Sequence, residues 1–223
     1  YTDSSNYSFQ LMNAGECYFV KYFGQTRFIP YNRKTVFELQ WALSQQGLAI
    51  EPLLLSEDQS IQVEAWCSKS AEIGRSLSVA KAAEILAELH QTTIEAPPLE
   101  LVSHWDRYLQ LCPEKSRSGF VARIEQLQGY WKAEELTCLC HNDLAFDHIV
   151  NAESNVLYDW EYVAMGNPCF DLASTIALNE LSTDESTVFL TLYNQRRNLP
   201  VPAIEHRVSD MRPLVQLTSD IWW

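Results

Sequence analysis

Two acidic side chains near the middle of the sequence have the types and spacing that phosphoryl transfer requires. Asp143 and Asp159 are separated by 16 positions, and each follows a short apolar run typical of a strand. This pattern predicts that both carboxylates lie at the same rim of a small sheet, where they share a divalent cation and a hydroxyl group. Phosphoryl transfer needs one carboxylate to orient the attacking hydroxyl and another to hold Mg²⁺. Because two close carboxylates repel each other, we expect a cation or a shared proton between them.

A second group of potential metal ligands precedes the first of these carboxylates. Cys138 and Cys140 form a C-x-C pair that is followed by His141, but no second Cys/His cluster with zinc spacing exists in the sequence. The alternation in 136–140 favours a strand with buried thiols instead. Adjacent residues of a strand point to opposite faces, which also disfavours a hydrolase built on Cys140 and His141. Six dispersed cysteines predict free thiols in a reducing compartment, the cytoplasm.

The elements that must position these residues predict an α+β fold. The first part, 1–66, is rich in β-structure and contains one helix, whereas the second part, 67–223, is mostly helical. The predicted strands are 7–11, 17–23, 49–55, 60–66, 136–140 and 155–158, with a hairpin turn at 13–15. The predicted helices are 33–46, 78–90, 101–111, 120–131 and a helical region beyond Pro168 that is broken at 200–202.

Composition and charge exclude several classes of protein. Hydrophobic residues make up 47% of the 223-residue chain and charged residues 20%, which excludes a disordered or fibrous protein. No apolar run approaches the ~20 residues of a membrane span, and the first residues lack the features of a signal peptide. The formal charge of −13 disfavours nucleic acid as a partner and attracts cationic small molecules. Alternatively, this charge only keeps the protein soluble.

Taken in order, several motifs resemble those of the choline kinase and aminoglycoside phosphotransferase superfamily, the protein-kinase-like small-molecule kinases. The matching segments are His141-Asn-Asp-Leu144, Asp159-Trp-Glu-Tyr162, Gly166-Asn-Pro-Cys-Phe-Asp-Leu-Ala173, Leu89-His90, Asn6-Tyr-Ser-Phe-Gln-Leu11 and Tyr18-Phe-Val-Lys21. The resemblance covers nearly the whole chain. It implies a protein-kinase-like two-lobed fold with a nucleotide-binding lobe at 1–66 and a catalytic and acceptor-binding lobe at 67–223.

The same resemblance implies a role for individual residues. Asp143 is expected to be the catalytic base, and His141 to brace its loop. Asp159 is expected to bind Mg²⁺, with Glu161 as a second ligand. Lys21 is expected to contact the α and β phosphates of ATP.

In the phosphate-covering hairpin, the resemblance implies that Asn6 and Ser8 contact the nucleotide. The sequence begins inside this predicted phosphate loop, at Ser4-Ser5-Asn6.

Two positions depart from the family pattern. Where the family usually has an asparagine that binds metal, this chain has His148, as macrolide phosphotransferases do; alternatively, His148 only hydrogen-bonds a neighbour such as Asp147. The helix glutamate that should pair with Lys21 is replaced by Val36. Glu38 is the nearest substitute, although two residues correspond to a rotation of about 200° around a helix axis.

Aromatic residues suggest the class of acceptor. They make up 12% of the chain, and aromatic faces with a carboxylate bind quaternary ammonium or thiazolium groups. The segment 212–223 resembles the last helix of choline kinases, so Trp222 and Trp223, together with Trp160, are candidate acceptor-binding residues. Alternatively, these tryptophans pack in the core.

These features favour a kinase that uses ATP and Mg²⁺ on a hydroxyl of a small cationic metabolite of the choline, ethanolamine or thiamine type. An antibiotic phosphotransferase and a nucleotide-binding protein without turnover are the alternatives. The oligomeric state and the choice between ATP and GTP stay open.

Overall fold

The structure, a computed structural model, describes residues 6–24, 32–68, 74–198 and 201–222, without the side chains at positions 6, 201–203 and 222. Its strands are β1 (Asn6–Asn13), β2 (Glu16–Phe23), β3 (Pro52–Leu55), β4 (Ile61–Ala65), β5 (Cys138–Cys140) and β6 (Ala164–Gly166). Its helices are α1 (Arg33–Ser44), α2 (Arg75–Leu89), α3 (Leu101–Leu109), α4 (Glu114–Leu127), α5 (Pro168–Leu178), α6 (Thr183–Arg197) and α7 (Val201–Trp222). The chain divides into two units, one formed by 1–73 and 147–161 and the other by 74–146 and 162–223. The α+β fold class is confirmed.

The first unit contains a four-stranded antiparallel sheet with the strand order β1-β2-β4-β3. The predicted hairpin between the first two strands is confirmed. Its two loop residues, Ala14 and Gly15, have φ values of 51° and 89°. Two consecutive positive φ values are those of a two-residue type I′ turn, whose twist matches that of the flanking strands.

Helix α1 begins at a side-chain cap and buries one stripe. Asn32 accepts a hydrogen bond from the backbone N–H of Thr35, which satisfies one of the free donors at the helix start. Val36, Leu39 and Leu43 are buried on one face, at the spacing of an amphipathic helix. The helix ends at Ser44, two residues before its predicted end.

The segment 147–161 belongs to the first unit, although the predicted boundary near residue 66 assigns it to the second part. Leu157 forms isolated bridges with Ile149 and with Ala49. Its backbone N–H also donates to the carbonyl of Leu48, at 2.9 Å. The predicted strand at 155–158 is therefore wrong, because single bridges replace a continuous ladder.

The second unit has a two-stranded antiparallel sheet of β5 and β6 and six helices among its described residues, with α2 packed on α6 and α5 on α7. The sequence does not predict β6, because its three residues are too few to show a strand pattern. The expectation that the strands before Asp143 and Asp159 form one small sheet is consequently wrong, since the partner of β5 is β6. None of the helices among the described residues combines the length and the hydrophobicity of a membrane span.

Gly166 lies where β6 approaches the side chain of Cys140. A Cβ atom at this position would lie 3.0 Å from Cys140 Sγ and 3.1 Å from Cys140 Cβ. Because Cys140 is fully buried, we expect the Gly166→Ala change to lower the free energy of unfolding by about 1–3 kcal/mol through overpacking. Urea denaturation monitored by circular dichroism measures this change.

Gly119 in α4 is the matched control, since nothing lies within 4 Å of a Cβ built there. Alanine in a helix interior is favoured over glycine by roughly 0.5–1 kcal/mol, so Gly119→Ala should be neutral or stabilising. Equal effects of the two alanine variants would contradict the overpacking explanation.

Candidate active site

In the first unit, Lys21 of β2 contacts two carboxylates. Its Nζ atom lies 3.2 Å from Oδ1 of Asp159 and 3.6 Å from Oε1 of Glu64. The lysine side chain is 12% exposed and that of Glu64 only 1%. The structure thus brings together two residues that sequence analysis assigned to nucleotide and metal binding, and adds a third.

These carboxylates keep Lys21 charged. Burial disfavours the ammonium, but the attraction of Asp159, Glu64 and Glu161 outweighs it and raises the pKa of Lys21. The side chain is therefore a permanent cation in the neutral range, as an anchor for phosphate oxygens must be.

Asp159 has a backbone conformation that is rare for a residue with a side chain. Its φ is 60°, in the left-handed region, which is sparsely populated outside glycine and is frequent at functional sites. Its Oδ2 atom lies 3.9 Å from Nε2 of His148, while Oδ1 faces Lys21. The side chain of Asp159 is 33% exposed, so the acidic member of its ion pair with Lys21 is accessible to solvent.

Glu161 has a different cationic partner. Its Oε2 atom lies 3.2 Å from Nη1 of Arg33, and the guanidinium of Arg33 stacks over the ring of Phe23, 3.7 Å from its centroid. Both the arginine and the glutamate are largely buried, at 2% and 13% exposure. The carboxylate of Glu161 is therefore oriented by an arginine.

Asp159, Glu161 and His148 are residues of the types that bind divalent cations. Two carboxylates, from Asp159 and Glu161, supply the hard oxygen ligands that Mg²⁺ prefers, and His148 adds a nitrogen donor that suits softer ions. Each carboxylate is matched with a positive side chain, which is how closely spaced acidic groups are stabilised.

In the second unit, the loop after β5 is held by Asp171 of α5. The backbone N–H groups of His141 and Asn142 donate to its two carboxylate oxygens, each at 2.8 Å. Asn142 has a φ of 65°, which turns the chain sharply just before Asp143. Because Asp171 and His141 are fully buried, these bonds fix the start of the loop.

Helix α5 also holds the rest of this loop. Ser174 donates from its hydroxyl to the carbonyl of Asn142 at 3.1 Å. Asn179, at the end of the helix, donates to the carbonyl of Leu144 at 2.8 Å and accepts from the N–H of Phe146 at 2.7 Å. The backbone on both sides of Asp143 is therefore anchored to one helix.

Asp171 is itself supported by a buried network. Nε2 of His90 lies 3.1 Å from its Oδ2 atom, and Nδ1 of His90 lies 2.8 Å from the hydroxyl of Tyr193. Burial raises the pKa of Asp171, but the hydrogen bond and charge of His90 and the loop N–H groups outweigh it, so the pKa is lowered. The predicted bracing of the loop thus involves His90 and Asp171 of the sequence motifs as well as His141.

The C-x-C pair lies beside this network, with His90 rather than His141 as its histidine. The ligand atoms of His90, Cys138 and Cys140 lie within 4.8 Å of one another and all three residues are buried. Both ring nitrogens of His90 already have partners, which makes the cluster a structural one. A hydrogen bond from Cys140 lowers the pKa of Cys138 to about 7, whereas burial raises that of Cys140.

Two predicted site residues are corrected. Glu38 is 63% exposed and pairs with Lys34 at 3.8 Å, because Val36 faces the core and a residue two positions later points to the opposite side. It is not the partner of Lys21. Trp160 is 1% exposed and donates from Nε1 to the carbonyl of Leu157 at 3.2 Å, so its ring packs inside the protein and is not an acceptor-binding surface.

The remaining predicted residues lie in β1 or at the chain end. Ser8 is exposed and stands opposite Lys21 in the ladder of β1 and β2. Asn6 and Trp222 belong to β1 and α7, but their side chains are outside the described atoms, and Trp223 is outside the described residues.

The predicted convergence of Asp143 and Asp159 joins residues of different units and stays a prediction. Glu64 is not among the predicted site residues. The alternation in β4 gives no signal for it, because this pattern predicts the apolar residues inward whereas the structure buries Gln62 and Glu64.

Comparison with known proteins supports the same family. A model of the "Phosphotransferase enzyme family" matches residues 3–207. The curated protein LicA of Haemophilus influenzae is 29% identical over 84 residues, which is 34% of this chain and 32% of that protein. The chain thus matches about a third of that relative's length.

Two solved structures have the same fold. Choline kinase LicA from Streptococcus pneumoniae superposes with a TM-score of 0.73 at 20% identity, covering 100% of this chain and 81% of that one. An aminoglycoside-3′-phosphotransferase of type VIII gives 0.71 at 20% identity, covering 96% and 90%. The predicted kinase-like fold and superfamily are confirmed.

Proposed function

Because the chain belongs to the phosphotransferase enzyme family, we propose that it is a small-molecule kinase that transfers the γ-phosphoryl group of ATP to a hydroxyl group of a small cationic metabolite. The observation that carries the proposal is the pair of Lys21 and Asp159 at 3.2 Å. One member is a permanent cation for nucleotide phosphates, and the other is a partly exposed carboxylate for a metal ion.

On this proposal, Lys21 binds phosphate oxygens of the nucleotide. Asp159 holds Mg²⁺ with Glu161 or His148. When bound, Mg²⁺ neutralises charge on the β and γ phosphates. The lysine is already aligned by two carboxylates, so little ordering of its side chain is needed when ATP binds.

On the same proposal, the carboxylate of Asp143 is the general base. Its carboxylate accepts the proton of the acceptor hydroxyl while a bond forms between that oxygen and the γ phosphorus. The bond from the γ phosphorus to the β–γ bridging oxygen breaks, and ADP leaves with that oxygen. The anchoring of the loop by Asp171, Ser174 and Asn179 supports this role, because a base must be held in position to act.

The net charge of the chain and its structural similarity to a choline kinase support a cationic acceptor. The net charge of −13 attracts cations, and a protein of the same fold is named a choline kinase.

The test is ADP release from ATP and Mg²⁺ with choline, ethanolamine and thiamine, each compared with an Asp143→Ala variant. We expect one acceptor to give turnover that the variant lacks. Absence of turnover above the variant with every acceptor would contradict the proposal.

An antibiotic phosphotransferase is the second candidate, and the position of His148 favours it. This histidine lies 3.9 Å from Asp159, and macrolide phosphotransferases resemble this chain in carrying histidine there. The discriminating measurement is the drug susceptibility of cells that express the protein. Unchanged inhibition by macrolides and aminoglycosides would exclude this candidate.

A third candidate, a nucleotide-binding protein without turnover, is supported by His148 and by Val36 at the position of the family's helix glutamate. It predicts that ATP raises the melting temperature without forming ADP.

A further inference from the structure

We infer that Glu64 of β4 is the carboxylate that holds Lys21 in its nucleotide-binding position, a task that the sequence pattern assigns to a glutamate of α1. This inference rests on the proposed function, because it concerns how the proposed nucleotide lysine is oriented. It makes Glu64 a positioning residue, which acts on ATP through Lys21.

The register of the sheet brings the two side chains to one face. Lys21 stands opposite Gln62, and Phe19 stands opposite Glu64, in the antiparallel ladder of β2 and β4. Since residues two apart on a strand share a face, Lys21 and Glu64 are diagonal neighbours. Their charged atoms, Nζ and Oε1, are 3.6 Å apart.

The burial of Glu64 indicates that it has a fixed task. Its side chain is 1% exposed, and a carboxylate is rarely buried unless it is paired. Oε1 accepts a hydrogen bond from Nε2 of Gln62 at 2.8 Å. Oε2 is buried with no hydrogen-bond partner among the described residues, which leaves the ammonium of Lys21 as the cation that offsets its charge.

Asp159 is less suited to hold the lysine while nucleotide is bound. It is 33% exposed, and under the proposed function its carboxylate binds the metal ion. Glu64 has no such second task and is enclosed by the sheet. When Asp159 binds metal, Glu64 is the carboxylate that stays on Lys21.

Helix α1 does not supply the carboxylate. Val36 is buried and apolar, and Glu38 pairs with Lys34 on the exposed side of the helix. The polar contribution of α1 is Gln40, a neutral side chain whose Oε1 accepts a hydrogen bond from Gln62 at 2.9 Å. The helix therefore supports Glu64 indirectly, through Gln62.

The test compares Glu64→Gln with Glu38→Gln, which removes a charge from an exposed ion pair of the same unit. ATP binding is measured by titration calorimetry without acceptor, and the KM for ATP and kcat by ADP release. We expect Glu64→Gln to weaken ATP binding and raise the KM about tenfold, the effect of losing one charge-assisted contact. The kcat should change less, and Glu38→Gln should stay within about twofold of the wild type.

A Lys21→Met background separates positioning from a general structural effect. If Glu64 acts through Lys21, adding Glu64→Gln to Lys21→Met should not weaken ATP binding further. A further loss of the same size in this background would overturn the inference, as would wild-type ATP binding by Glu64→Gln itself.

The Glu64→Asp variant serves if the glutamine variant does not fold, as judged by circular dichroism. It keeps the charge but withdraws the carboxylate by one methylene, so it should still weaken ATP binding more than Glu38→Gln does. Wild-type binding by Glu64→Asp would then overturn the inference.

Different results would contradict the inference about Glu64 and the proposed function. ATP binding that depends on Glu64 without turnover on any acceptor would contradict only the kinase activity. Turnover by the wild type that Glu64→Gln leaves unchanged would contradict only the role of Glu64.

Discussion

Replacing Asp143 with asparagine is expected to lower kcat by ~10²–10⁴-fold, the usual contribution of a general base. The amide keeps the shape of the side chain but cannot accept the proton of the acceptor hydroxyl. ATP binding should be unchanged, because the proposed phosphate and metal contacts come from Lys21 and Asp159. The measurement is ADP release with the acceptor that gives the highest turnover, together with calorimetric titration of ATP.

The folded structure should survive this replacement. Asp171, Ser174 and Asn179 hold the backbone of the loop, and the replacement leaves these three side chains in place. Asp147→Asn, which changes an exposed carboxylate four positions later, is the matched control. If both variants keep wild-type kcat, Asp143 is not the base.

Replacing Asp171 with asparagine is expected to lower the free energy of unfolding by about 3–5 kcal/mol, the usual cost of breaking a buried charged network. The carboxylate accepts from two backbone N–H groups and contacts His90, and it is fully buried. An asparagine has one acceptor oxygen, so it must direct its own N–H₂ group at one of these partners. Thermal and urea denaturation measure the loss, and Asp106→Asn, an exposed change on α3, is the control.

The stability of Asp171→Asn should fall less in acid than the stability of the wild type does. The pKa of Asp171 is lowered in the folded protein, so its stabilising contribution is complete above its ordinary pKa of about 4 and is lost as the pH falls below that value. The difference in melting temperature between wild type and Asp171→Asn should therefore be large at pH 7 and shrink below pH 4. A difference that stays constant across this range would show that the charge of Asp171 contributes nothing.

Local signals in the sequence predict much of the fold. Three such signals each involve only residues that are close together in the sequence: the Ala14-Gly15 turn, the cap at Asn32 and the apolar spacing of α2. The structure contains all three elements. The order of the motifs also predicts the family, because a set of short matches at fixed spacing carries more information than any one of them.

Contacts between distant segments could not be predicted in this way. The return of 147–161 to the first unit depends on single backbone bridges at Leu157, which leave no periodic pattern. The partner of Lys21 is a second example. An alternating pattern predicts that the apolar residues of a strand face the core. In β4, however, Gln62 and Glu64 are buried and Ile61 is 36% exposed.

The position of Glu64 has a consequence for regulation. An ion pair that spans a sheet and a movable helix acts as a switch, because displacing the helix disconnects the lysine and turns the enzyme off. Here both charged partners belong to neighbouring strands of one hydrogen-bonded ladder, and α1 is linked to Glu64 indirectly, through the hydrogen bond that Gln62 donates to Gln40. Displacing α1 alone should accordingly change nucleotide affinity less than it would in a kinase whose lysine is paired with a helix glutamate, because both members of the ion pair stay in the sheet.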